Sequence, residues 1–240
     1  MKETLNQAIY ELKTKINASS ALTEALDTLQ HLGKVYIIGG AIRDSYASLM
    51  LGSEILPSDL DLVIDTNAKL PICKNGILNS FGGVKCEIPS SPFPINYWRL
   101  CDTYAFRKGL LPPRAKNLPA TTVFDINAVV ADFTSGTYFE HNFLNSMRNK
   151  KISFNCTAYI ADMPELQALR AIIYSRKLNF LLDERVTEFI RKTVAKHSET
   201  TFKESIAGYA KSKDTASISA LFSLAASQSL PCPPCIPRLV

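Results

Sequence analysis

Asp59 and Asp61, in the stretch Ser58-Asp-Leu-Asp-Leu-Val-Ile-Asp65, are the residues of this 240-residue chain best suited to chemistry. The alternation of acidic and aliphatic residues predicts a strand, in which residues i and i+2 point to one face. Their Cα atoms would then lie roughly 7 Å apart, which lets both carboxylates converge on a pair of Mg²⁺ ions. Hard oxygen ligands suit Mg²⁺, which also keeps waters and phosphate oxygens around it. A D-x-D pair alone is usually a pair of surface acids, so its neighbours decide its meaning. Asp65 shares the parity but lies further along, where an edge or capping role is expected.

Upstream, the β-branched run Lys34 to Ile38 predicts a buried strand that ends at Gly39-Gly40. Ile42, Tyr46, Leu49 and Met50 then return at helical spacing. Two glycines let a backbone approach a ligand closely, and the helix that follows offers unpaired N–H groups and a positive dipole end. By itself this is a tight strand-to-helix turn; beside paired carboxylates it suits a triphosphate. Arg43, in the first helical turn, could contact phosphate or pair with an acid, and Asp44 could complement the dipole.

Other elements must hold these two pieces together. Residues 2–31 carry two apolar helical stripes broken at Asn17-Ala-Ser-Ser20, with Ser19 or Ser20 as N-cap and Gly33 as the C-terminal stop. Residues 68–80 read as a short helix ending near Asn79. Strands are expected at 84–88, 95–100 and 121–130. The last of these leads through Thr134 to Gly136 into a hairpin partner at 137–139, and a final strand is expected at 151–154. Residues 107–119 form a basic, proline-containing loop. From Met163 the spacing is helical, with a break near Ser212 to Asp214 and an irregular, proline-rich tail.

The order strand, Gly-Gly, helix, D-x-D strand resembles the head domain of poly(A) polymerases and class II CCA-adding enzymes, within the polymerase-β-like nucleotidyltransferases. Gly39-Gly-Ala-Ile-Arg-Asp44 and Ser58 to Asp65 carry the likeness. Phe124 to Asp132 (FDINAVVAD) is similar to that family's D-F-T-I-N-A strand, and Pro164 to Phe180 to its leucine-arginine-alanine helix. The resemblance spans residues 33 to 180. It implies an α+β fold: a mixed or antiparallel sheet head with helices packed on it, over residues 1–160, then a small basic helical region over 161–240. It implies NMP transfer from an NTP to a hydroxyl with release of pyrophosphate. Asp59 and Asp61 would bind the two Mg²⁺ ions, Gly39, Gly40 and Arg43 would hold the triphosphate, and Asp125 and Asn127 would shape the nucleotide site. Arg170 would sit in the helix beneath the head as an ion-paired scaffold residue.

The departures are specific. The helix after Gly40 is about one turn longer than usual, and Thr122-Val123 replaces a pair of arginines. No later neck motif for choosing C or A is present, which argues against faithful CCA addition. Asn96 stands where a third carboxylate is expected, and Asp102 lies too far along the same strand to serve.

Composition sets the remaining bounds. Hydrophobic residues make up 46% and charged residues 20%, as in an ordinary globular protein. No apolar run reaches membrane-spanning length and the N-terminus lacks a signal-peptide pattern, so a cytoplasmic location without membrane contact is expected. Charge is nearly balanced through Met147, and the net +5 arises from Arg148 onward. Arg176, Lys177, Arg191 and Lys192 therefore suggest an RNA acceptor, with a tRNA 3′ end as the first candidate and a protein or small-molecule hydroxyl as the alternative. A binding module without turnover is the other alternative, raised by Asn96. The six cysteines show no framework spacing and read as reduced thiols. The lone Cys232-x-x-Cys235 pair lacks the four ligands of a structural zinc. Tyr97, Trp98 and Tyr104 could stack a base, but aromatics at strand positions are more often core.

Overall fold

The structure is a computed structural model that describes residues 1–73, 76–78, 82–158, 160–207 and 215–227. It separates into two compact units, one of Met1–Thr122 with Ile126–Leu144, the other of Val123–Asp125 with the described residues from Asn145 on.

The first unit is built on a mixed seven-stranded sheet in the order β3-β4-β5-β2-β1-β6-β7. Its strands are β1 (Lys34–Ile38), β2 (Leu60–Asp65), β3 (Ile77–Leu78), β4 (Val84–Cys86), β5 (Ile95–Arg99), β6 (Val129–Asp132) and β7 (Tyr138–Glu140). Helices α1 (Lys2–Asn17), α2 (Ser20–Gln30) and α3 (Gly40–Leu51) belong to the same unit, as does the short α4 (Tyr104–Arg107). The apolar stripe Leu5, Ile9, Leu12 and Ile16 of α1 is buried, and α1 packs against α3. Ser19 caps α2 by accepting from the Leu22 amide.

Both faces of the central strands are covered, which is why β1 and β2 read as nearly continuous apolar runs rather than strict alternations. On one face Tyr36, Ile38, Val63, Leu100, Phe106, Leu118 and Val130 form a core layer, with Trp98 packed against it. The register pairs Tyr36 with Val63 and Ile37 with Leu62, antiparallel, while β2 runs parallel to β5 with Asp61 opposite Asn96. Asp61 shares Val63's parity, so the acids extend this layer towards the end of the sheet where β1 finishes.

Three local expectations are corrected. Within residues 68–80 the described part forms no helix, and Ile77–Leu78 pairs with β4 as an edge strand; Asn79 lies outside the described residues. Only the end of the 121–130 stretch is strand. Pro119–Thr121 and Asp125–Asn127 are 3₁₀ turns, because Pro119 starts one turn and Asp125 is held by Ser153 before the ladder begins at Val129. Gly33 does not close α2 with a left-handed turn; the Asp65 carbonyl lies against it where any Cβ would collide. The hairpin through Ser135-Gly136 forms as expected.

Cys73 and Cys86 are joined in a disulfide rather than reduced. The fold creates this contact, which the spacing alone does not announce. Tyr97 donates to the Pro71 carbonyl at 2.6 Å and tethers that segment, while β4 pairs Cys86 with Ile95 two residues from Tyr97. Cys101 and Cys156 are free, and Cys232 and Cys235 lie outside the described residues.

The chain leaves the first unit through α5 (Phe143–Asn149). The second unit contains a parallel pair, β8 (Lys151–Ile152) with β9 (Leu181–Leu182), and helices α6 (Pro164–Leu178), α7 (Glu184–Val194), α8 (Glu199–Ile206) and α9 (Thr215–Ala226). The 151–154 strand thus pairs within this unit rather than extending the large sheet. Phe124 stacks on Phe154 and meets Tyr174 edge-on. Arg176 donates to Ser217 and Arg191 to the Ser227 carbonyl, so these two arginines fasten α9 to α6 and α7. Lys192 pairs with Glu188. Arg148, Lys150, Lys151, Arg170, Arg185 and Lys196 are exposed. The ion-paired scaffold role expected of Arg170 is not found: it is exposed and makes no ion pair among the described residues. No described helix is long and apolar enough to cross a membrane.

Candidate active site

Antiparallel pairing of β1 with β2 brings the C-terminal end of one beside the N-terminal end of the other, so Gly39-Gly40 and the two aspartates meet at one end of the sheet. β6 is also antiparallel to β1, with Val130 opposite Ile38, and this brings Asn127 to the same end.

The turn is made by Gly39 at φ 73°, ψ −113°, a conformation that L side chains rarely adopt. Its amide donates to the Val129 carbonyl at 2.9 Å, and its carbonyl accepts from the Arg43 amide at 3.0 Å. A Cβ at Gly39 would find Asn127 at ordinary contact distance, so the backbone angle rather than crowding requires glycine here. No side chain caps the first turn of α3, whose N-cap is Gly39. At the far end Gly52 closes the helix in the left-handed region. Ser48 there accepts from the Ile55 amide at 2.8 Å, which directs the loop towards Asp59.

Arg43 lies beneath the turn. Its guanidinium, 4% exposed, bonds Asp44 through Nε at 2.8 Å and Nη2 at 2.7 Å, and donates from Nη1 to Asn127 Oδ1 at 2.6 Å. Of the two roles open to it, the structure shows the acid partner, and Asp44 is that acid. The network ties α3 to the turn that precedes β6.

The two carboxylates are partly exposed and share one amide as a donor. Asn96 Nδ2 donates to Asp59 Oδ2 at 3.1 Å and to Asp61 Oδ1 at 3.0 Å, while Ser58 Oγ donates to Asp59 Oδ1 at 2.9 Å. Both carboxylates therefore converge on one nitrogen, the Asn96 amide. Among the described residues no group of three or more His, Cys, Asp or Glu gathers as a metal centre, and this site offers two carboxylates. Asp102 is occupied by Arg99 at 2.7 Å, and that contact raises the arginine's already high pKa. Tyr97 is buried, which pushes its phenol up, and Trp98 donates to Thr103; both behave as core residues rather than as a stacking platform.

The structure thus gathers Gly39, Gly40, Arg43 and Asn127 with Asp59 and Asp61 at one sheet end. Asp125 belongs to the second unit, where its carboxylate accepts from the Ser153 amide at 3.0 Å. Sequence reasoning did not assign Asn96 the donor role. The signal lay in its strand position, since a parallel partner of an acidic strand places an amide opposite an acid.

This is the fold of the CCA-adding nucleotidyltransferases. A CCA-adding enzyme solved with CTP superposes with TM-score 0.55 at 17% identity, covering 90% of this chain and 54% of that one. The Thermotoga maritima CCA-adding enzyme solved with tRNA gives TM-score 0.55 at 17% identity, over 90% and 53%. A tRNA nucleotidyltransferase with primer tRNA and an ATP analogue gives 0.52 at 20%, over 79% and 56%. The chain spans about half the length of these structures. No family model and no curated protein sequence matches it.

Proposed function

We propose that this protein is a divalent-cation-dependent nucleotidyltransferase that moves a nucleoside monophosphate from an NTP to a hydroxyl of RNA, with a tRNA 3′ end as the first candidate, and releases pyrophosphate. The observation that carries the reading is the convergence of Asp59 and Asp61 on one amide beside the uncapped Gly39-Gly40 turn. The RNA acceptor is supported by the fold shared with enzymes solved on tRNA and by the exposed cations of the second unit.

The donor set fits Mg²⁺: two hard, partly exposed carboxylates converge on one point, and Mg²⁺ completes its shell with waters and phosphate oxygens. Bound there by Asp59 and Asp61, the ion would neutralise charge on the triphosphate and polarise the attacking hydroxyl. The rest is positioning by the chain itself. Leading amides of α3 receive phosphate oxygens at the helix's positive end. Gly39 lets the backbone approach, and the Arg43–Asp44–Asn127 network keeps that turn in shape before substrate arrives. Such pre-organisation suits phosphoryl transfer, in which the protein supplies geometry and electrostatics rather than covalent chemistry.

The test is incubation with each of the four α-labelled NTPs, Mg²⁺ and total RNA. Label should enter RNA and pyrophosphate should appear, and both should vanish in Asp59→Ala and Asp61→Ala. Label transferred to protein or to a small molecule would move the acceptor assignment. Unlabelled RNA with no pyrophosphate release under any NTP would refute the proposal.

A further inference from the structure

Asn96 does more than fill the place opposite Asp61. A side-chain amide has two N–H donors on one nitrogen, and here both are spent, one on Asp59 Oδ2 and one on Asp61 Oδ1. The orientation follows from chemistry, because the amide oxygen turned towards two carboxylates would be repelled by both. Two like charges are thus held together by the positive end of a neutral dipole, in the position where these carboxylates would share a cation. The parallel β2–β5 register places the amide within reach, since Asn96 is the Cα partner of Asp61.

We propose that Asn96 is a positioning residue that competes with the metal: it keeps the carboxylate pair converged in the metal-free protein and must yield when a divalent ion binds. The inference rests on reading Asp59 and Asp61 as the metal pair. Its consequence is a weak site. The ion gains two charges but displaces two hydrogen bonds to ionised groups, so the metal concentration, rather than the fold, gates the site. A third carboxylate at this position would do the reverse, repelling the pair when empty and drawing the ion in.

The experiment is a titration of the full-length protein with Mn²⁺, following the free ion by electron paramagnetic resonance, for the wild type, Asn96→Ala, Asn96→Asp and Asp59→Ala. Removing the competing amide should tighten Mn²⁺ binding by about tenfold, which corresponds to less than one hydrogen bond to a charged group. Asn96→Asp should bind tighter still. The rise in melting temperature on adding Mn²⁺ should be larger in both variants than in the wild type, since tighter binding to the folded state stabilises it more. Unchanged Mn²⁺ affinity in Asn96→Ala and Asn96→Asp, or weaker binding in Asn96→Ala, overturns the proposal while the metal pair stands. Full Mn²⁺ binding by Asp59→Ala overturns the metal-pair reading itself, and this inference with it.

Discussion

Asp44→Ala probes the network under the phosphate turn. Asp44 is 1% exposed and Arg43 4%, and the two are joined by contacts of 2.7 and 2.8 Å. Truncating one partner of such a pair leaves a guanidinium buried without that carboxylate, which costs about 3–5 kcal/mol. The chain's single tryptophan, Trp98, belongs to the same unit and packs on its core layer, so its fluorescence reports the unfolding of this unit. With a urea dependence of about 2 kcal/mol per molar, the unfolding midpoint should fall by about 1.5–2.5 M. Asn127→Ala removes one hydrogen bond to the same charge and should cost less, about 1.5–3 kcal/mol. Because both act through Arg43, the double variant should lose less than the sum of the two. A midpoint shift below about 0.5 M for Asp44→Ala would show that the pair does not brace the turn, and strictly additive losses would show that the two contacts are independent.

Other perturbations test separate parts of the fold. Gly39→Ala should destabilise the first unit by about 1–3 kcal/mol through backbone strain at positive φ, read in the same urea assay; unchanged stability would mean the turn relaxes. Cys73→Ser opens a link across 13 residues of sequence separation and should cost about 3 kcal/mol, and a thiol reductant should lower the melting temperature of the wild type but not of the variant. At Asn179, which ends α6 in the left-handed region at φ 54°, alanine should cost about 1 kcal/mol while glycine should be tolerated, measured by thermal melting.

Much of the architecture was written in local patterns. Residues 34–65 announce strand, glycine turn, helix and acidic strand because each step is a nearest-neighbour rule: β-branched residues, a glycine at positive φ, a 3.6-residue period, then alternation. The failures share one cause, which is that a distant segment overrode the local preference. Thr121 to Ala128 has the composition of a strand, yet Asp125 bonds to Ser153 and coils into a 3₁₀ turn before Val129 joins β1. Gly33 looks like a helix stop, but the Asp65 carbonyl, more than thirty residues on, is what excludes a side chain. Cys73 and Cys86 have no motif, and only the return of β4 along β5 and the Tyr97 tether bring them together.

The site shows the same limit at the level of single side chains. An arginine in the first turn of a helix behind two glycines fits phosphate binding and a buried ion pair equally well, because both need a planar cation with several donors. What separates them is the depth of the side chain, set by α1 packing on α3 and by Asn127 arriving from the start of β6. Asn96 is ambiguous in the same way. As one letter replacing an expected acid it reads as a lost charge, and a lost charge argues for a weakened site. Placed opposite Asp61 by the parallel register, the same amide turns its donors on both carboxylates and becomes the group that holds them together. Its meaning depends on which atoms of the amide face the acids, and that is a property of strand pairing rather than of residue type.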